Sequence, residues 1–172
     1  MKKTLILLLT GRLKMQVRLA QIADADRAVD VVRRSIQELC VSDHRGDAAT
    51  LSIWLSNKTA DNMRRWIATH AVHVAVDDEQ IAGVAAVRSD GFILLNYVAP
   101  EARFKGASKS LLSDIELWAS RRGLEWLGLD TTAAALRFYL SSGWTMIGPP
   151  QPGFGVTMRH PMRKEVRGAQ RA

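Results

Sequence analysis

Asn96-Tyr-Val-Ala-Pro-Glu-Ala-Arg-Phe-Lys-Gly-Ala-Ser-Lys-Ser-Leu-Leu112 is the stretch on which the reading of this 172-residue chain turns. Its opening residues end an apolar run that begins at Phe92, so a strand closes here. A loop then gathers Arg103, Lys105 and Gly106, and from Ala107 onward Leu111, Ile115 and Trp118 recur at helical spacing. Small residues at Gly106, Ala107 and Ser108 let a ligand reach the backbone, and free N–H groups at the start of a helix form an anion site. The ligand this implies is rich in phosphate. Neither G-x-x-x-x-G-K-[ST] nor G-x-G-x-x-G is present, which sets aside nucleoside triphosphates and NAD. On spacing alone, a glycine that only permits a tight strand-to-helix turn beside solvated cations accounts for the stretch equally well.

Working outward, residues 16–21 alternate as a first strand, and Ala25, Val29, Val32, Ile36 and Leu39 make residues 24–40 an amphipathic helix. Residues 41–47 read as a polar loop. Its last residue, Asp47, caps a second helix through Leu51, Trp54 and Leu55, and a third carries Met63, Trp66 and Ile67. The period then falls to two. Strands are expected at 72–76, 81–87 and 92–98, joined by the polar turns at 77–80 and 89–91. A helix over 107–122 ends on Arg121-Arg122-Gly123, residues 124–129 form a buried strand, and residues 133–142 are helical up to Gly143. Short strands at 144–147 and 155–158 flank a Pro-rich turn at 149–153. The fold class is therefore α/β of the α+β type, with a central mixed, mostly antiparallel sheet of about six or seven strands and helices on both faces. One domain spans 15–160, after a leader at 1–14 and before a basic tail at 161–172.

The composition, 47% hydrophobic and 24% charged, is that of an ordinary soluble domain. Cys40 is the single cysteine, so no internal disulfide forms, and His70 and His73 without a Cys pair give no zinc spacing. No metal is expected. The net charge of +7 lies at the ends: Lys2, Lys3, Arg12 and Lys14 at one, Arg159, Arg163, Lys164, Arg167 and Arg171 against Glu165 at the other. The body is close to neutral, so neither a specific nucleic-acid partner nor a membrane partner is expected. Met1 to Thr10 has a basic start, but its apolar run, Leu5 to Leu9, is too short to span a bilayer, and Gly11-Arg-Leu-Lys14 stands where a cleavage site would fall. Met15 is the expected natural start, and the location is cytoplasmic.

With these elements in place, the quoted stretch resembles motif A of the GNAT N-acetyltransferase superfamily, V-x-P-x-x-[RQ]-x-x-G-x-[GA], through Val98, Pro100, Arg103 and Gly106. Ser108 stands at the last position, where the pattern has Gly or Ala. Downstream, Thr132-Ala-Ala-Ala-Leu-Arg-Phe-Tyr139 with Gly143 and Trp144 is similar to motif B, N-x-x-A-x-x-x-Y-x-x-x-G-[FW], with Thr132 in the Asn position. The resemblance implies a fold in which acetyl-CoA lies where the fourth and fifth strands splay, its pantetheine pairing with backbone around Tyr97 and Val98. It implies that Arg103, Phe104, Lys105, Gly106, Ala107 and Ser108 hold the diphosphate, that Lys109 adds positive potential, that Thr132 meets the pantetheine arm, and that Tyr139 is the general acid. The reaction implied is acetyl transfer to a primary amine of a small molecule or peptide, by direct attack. Glu38, Asp43 and His44 are candidates for the base that takes the amine's proton. A homodimer is admitted.

Other residues have plainer readings. Trp54, Trp66, Trp118 and Trp126 are expected in the core, Cys40 as a buried inert thiol, His73 on a strand face and His70 at a helix end. The departures at Ser108 and Thr132 keep one alternative open, a non-catalytic acyl-CoA-binding sensor.

Overall fold

The two-residue period after residue 70 becomes a hairpin of β2 (Ala71–Asp77) and β3 (Gln80–Val87) in the computed structural model, which describes residues 15–166. Asp78 and Glu79 both take positive φ at its turn, 45° and 65°, which suits the twist of the flanking strands. β1 (Gln16–Leu19) pairs antiparallel with β2, and β4 (Phe92–Val98) with β3. The helix α5 (Ala107–Arg121) then carries the chain across to β5 (Trp126–Thr131), which lies parallel to β4. β8 (Met158–Glu165) pairs with β5 and with the two-residue strands β6 (Thr145–Met146) and β7 (Gln151–Pro152). The eight-stranded sheet runs β1-β2-β3-β4-β5-β8-β6, with β7 on β8.

Four helices, α1 (Ala25–Leu39), α2 (Val41–His44), α3 (Ala48–Leu55) and α4 (Ala60–Thr69), separate β1 from β2, and α6 (Ala133–Ser141) follows β5. Helix α5 covers the face to which Gly83 and His73 turn: a Cβ on Gly83 would touch Leu111, and His73 Nδ1 lies 2.7 Å from Asp114 Oδ2. Helix α1 packs across β3 and β4 from the other side, and Val32, Ile36, Val84, Leu111 and Ile115 are fully buried between these layers.

Where β4 meets β5 the sheet opens. Only Phe92 and Ile93 find partners on β5, Gly128 and Leu129. The register on the β3 side slips between Ala86↔Leu95 and Val87↔Ile93, so Leu94 is an extra residue on β4, and a bulge of this kind bends its strand. The rest of β4 therefore leaves its neighbour.

The N-terminal junction is held by Asp24. Its buried carboxylate accepts from Arg18 at 2.7 and 3.0 Å, from Arg27 at 3.2 Å and from the Gln21 backbone N–H at 2.8 Å. The Arg18 guanidinium, ahead of the opposing effect of burial, pulls its pKa down to about 2. A carboxylate with a depressed folded pKa contributes stability that is complete above its ordinary value and is lost as pH falls toward 2. Asp24→Ala is expected to cost about 2 kcal/mol at pH 7, discounted for the exposed arginines, and the difference from the parent in urea denaturation should shrink below pH 3.

Several sequence expectations change in the structure. Residues 41–44 are helical rather than a loop, because Asp43 turns inward and accepts the backbone N–H groups of Ala133 and Ala134 at 2.8 and 3.3 Å. Residues 155–157 are not a strand. Instead Val156 N–H donates to Thr50 Oγ1 at 3.1 Å, and Gly155, at φ 51°, is pressed so close to α3 that a Cβ would collide with Thr50. Residues 161–165, expected to open a basic tail, complete β8: His160, Met162 and Val166 face inward at alternate positions, Arg163 lies 3.8 Å over the Trp126 ring, and Lys164 Nζ donates to Glu116 at 2.6 Å. Trp126 itself is exposed rather than core. The leader at 1–14 lies outside the described residues.

Candidate active site

The gap between the diverging strands is a cavity of about 440 Å³, walled by Leu94 to Val98 of β4, Leu129 to Thr132 at the end of β5, the start of α5, the middle of α6 and the end of α1. Ala99 N–H donates to Ala82 of β3 at 2.9 Å, and alternation along the strand then turns the backbone groups of Asn96 and Val98 away from β3, toward the cleft. With no strand beside them, they are open to an extended ligand carrying its own amides.

At the mouth, Gly106 takes φ 90° as the residue before α5, with no side chain capping the helix and nothing within 4 Å of where its Cβ would stand. The first amides of a 15-residue helix thus face open space. Arg103 and Lys109 line the same mouth, and the salt bridges among the described residues do not include Arg103, Lys105 or Lys109. Arg103 and Lys109, cations without an ion-pair partner among the described residues, beside bare amides fit a polyanionic group. Of the residues expected to hold a cofactor, Tyr97, Val98, Arg103, Phe104, Gly106, Ala107, Ser108, Lys109, Thr132 and Tyr139 line the cavity, whereas Lys105 does not.

Deeper in, Tyr139 is buried, packed edge-on against Phe138 and Trp144 at 5.2 and 5.6 Å. Its Oη accepts a hydrogen bond from Asn96 Nδ2 at 3.1 Å, while Asn96 Oδ1 is buried without a protein partner. Burial pushes the Tyr139 hydroxyl up to about 12, partly offset by the Asn96 hydrogen bond, so it stays protonated at neutral pH. Tyr97 is raised further, chiefly by burial, and a hydrogen bond with Trp54 opposes that rise. Cys40, also in the wall, is pushed to about 12 by burial and then by nearby Asp43, which makes it a neutral thiol rather than a nucleophile.

None of the three candidate bases lines the cavity. Glu38 is exposed and pairs with Arg34 at 3.6 Å. Asp43 is committed to the start of α6, where Thr132 occupies the cap position without a side-chain hydrogen bond of its own. His44 Nδ1 accepts from Gly46 N–H at 3.0 Å, and its buried Nε2 has no partner. Among the described residues the one carboxylate in the lining is Asp130, which pairs with Arg159 at 3.0 Å. Asp130 and Asn96 were not singled out from the sequence; a polar residue inside an otherwise apolar strand is the signal that marks them both. No group of metal-ligating side chains occurs among the described residues.

A family model described as an acetyltransferase (GNAT) domain matches residues 40–166. No curated protein sequence matches the chain significantly. Among solved structures, a GCN5-related N-acetyltransferase from Rhodopseudomonas palustris superposes with a TM-score of 0.81 at 17% identity, covering 90% of this chain and 98% of its own. PaiA N-acetyltransferase from Thermoplasma acidophilum, solved with coenzyme A, gives 0.73 at 17% identity over 88% and 98%. YncA, a putative acetyltransferase from Salmonella typhimurium solved with acetyl-CoA, gives 0.68 at 22% identity over 92% and 97%. At these identities the likeness concerns the fold.

Proposed function

The chain belongs to the GNAT acetyltransferase family, and from that premise we propose that it transfers an acetyl group from acetyl-CoA to a primary amine by direct attack within a ternary complex. The observation that carries this reading is the pairing, in one cleft, of a bare cationic helix start at the mouth with a protonated, Asn96-held Tyr139 hydroxyl at the floor.

Acetyl-CoA supplies the activated thioester; the chain's own residues do the rest. Arg103, Lys109 and the first amides of α5 bind the diphosphate and anchor the arm at the mouth. The exposed backbone edge at Asn96 and Val98 pairs with the arm as an added strand would, and an N–H from this edge faces the carbonyl oxygen where negative charge grows. As the C–N bond forms and the C–S bond breaks, Tyr139 donates its proton toward the departing sulfur, and the proton that the new amide nitrogen gives up restores the phenol. Because Asn96 Nδ2 already occupies one acceptor position on Oη, the phenol's own hydrogen is turned away from Asn96 and into the cavity. An incoming ammonium must lose a proton before it attacks, and Asp130, reached through water, takes the place of Glu38, Asp43 and His44 as its destination.

A second reading, a non-catalytic acyl-CoA-binding domain, is favoured by one observation: Asp130 is already paired with Arg159 and no other carboxylate lines the cleft among the described residues. Two measurements separate them. Acetyl-CoA at a hundredfold excess over its dissociation constant should stabilise the fold by about 2.7 kcal/mol and raise the melting temperature, with NAD and ATP far less effective. Release of free CoA thiol in the presence of a panel of small amines, polyamines, aminoglycosides and peptide N-termini should then exceed the amine-free rate. Binding without amine-dependent release would leave the sensor, and no binding would remove both.

A further inference from the structure

Phe104 differs from every other non-glycine residue of the anion loop. Its φ of 63° lies in the left-handed region, which a non-glycine residue adopts only at a conformational cost. The other non-glycine residues at positive φ among the described residues, Arg45, Asp78 and Glu79, are polar and sit in tight turns; Phe104 is the one apolar ring among them. Packing does not explain it, because the residue is 90% exposed. The ring is nonetheless oriented: the Arg103 guanidinium lies over it, 4.5 Å from the centroid, and it lines the mouth of the cavity with Gly106 and Lys109.

A strained, solvent-facing aromatic plane beside a phosphate seat has the chemistry of a purine platform. Bases stack on aromatic faces irrespective of their hydrogen-bonding edges, and a guanidinium both stacks and pairs with phosphate. Resting on the acetyl-CoA reading, we propose that the adenine of CoA stacks on the Phe104 ring, so that the left-handed backbone at this position serves to hold the ring over the outer end of the diphosphate loop. Arg103 is the positioning residue, which steadies the ring and keeps its charge near the nucleotide's phosphates. Binding energy gained at this remote end fixes the thioester at Tyr139, at the far end of the same cavity.

The test is calorimetric titration of the full chain with CoA and with 4′-phosphopantetheine, which lacks the nucleoside and two of CoA's three phosphates, for the parent, Phe104→Gly and Phe104→Tyr. Glycine accepts this φ without strain and no core contact is lost, so Phe104→Gly should melt at or above the parent temperature. Its affinity for CoA should fall roughly tenfold, within the range for loss of one base–aromatic stack, while its affinity for 4′-phosphopantetheine stays unchanged and Phe104→Tyr binds both as the parent does. Unchanged CoA affinity in Phe104→Gly would overturn the proposal. So would equal losses for both ligands, which would assign the effect to the shape of the loop. A parent protein that binds neither ligand would overturn the acetyl-CoA reading and this proposal with it, whereas failure of the adenine arm alone leaves that reading standing.

Discussion

Gly106→Val is expected to eliminate the rise in melting temperature that acetyl-CoA produces, while leaving the free protein folded. Gly106 sits at φ 90° with open space where a Cβ would stand, so the first carbon of a valine side chain is not crowded by more distant parts of the chain. What it meets is its own backbone: a β-branched residue in this region costs at least about 1–2 kcal/mol and drives the loop toward another conformation. A rearranged loop no longer presents the amides of Ala107 and Ser108 together, and any valine that did keep the geometry would place two methyl groups where the diphosphate approaches. Conformation and space act in the same direction, and Gly106→Ala separates them by restoring most of the space while keeping the unfavourable φ. Melting curves with and without acetyl-CoA decide the matter. A full-sized shift in Gly106→Val would remove the helix start from the binding site.

That loop was legible in the sequence because its information is local. A strand end, a small-residue turn and a helix start occupy 17 consecutive residues, and the physical demand on each is visible in its neighbours. The Asp43 role has no such local mark, since the amides that it accepts belong to Ala133 and Ala134, ninety residues later. The last strand was hidden for a different reason. In β8 the inward positions His160 and Met162 alternate with Arg159 and Arg163, and Lys164 follows them on the inner side; these charges find Asp130, the Trp126 ring and Glu116, so a strand of the sheet carries the composition of a tail. Asn96 is a polar residue inside an apolar run. Its meaning appears only when α6 brings Tyr139 within 3.1 Å.

Tyr139→Phe is expected to lower turnover by roughly 10²-fold, the scale of general acid catalysis, while the KM for acetyl-CoA changes by no more than a few-fold. The phenylalanine ring keeps both edge-on contacts, with Phe138 and Trp144, so packing is preserved. The fold should lose only about 1 kcal/mol, for leaving Asn96 Nδ2 without its acceptor. The hydroxyl suits a donor because burial pushes it to about 12, which keeps its proton in place across any usable assay pH. An ordinary thiol in water titrates near ~8.5, so full transfer from such a phenol to a solvated thiolate would run uphill. Inside the cleft the same exclusion of water that weakens the phenol as an acid strengthens the departing sulfur as a base, and the donor is already aimed. The sign of the pH effect follows. Since Tyr139 does not ionise until near pH 12, the parent's rate should show no alkaline fall from this group up to pH 10, and the deficit of Tyr139→Phe should persist over the same range. Asn96→Leu, which frees the phenol to rotate, should lower turnover by a smaller factor, roughly tenfold, with the tyrosine still in place. Tyr139→Phe with parental turnover at pH 7, under conditions where the chemical step is shown to limit the rate, would move the proton donor to water.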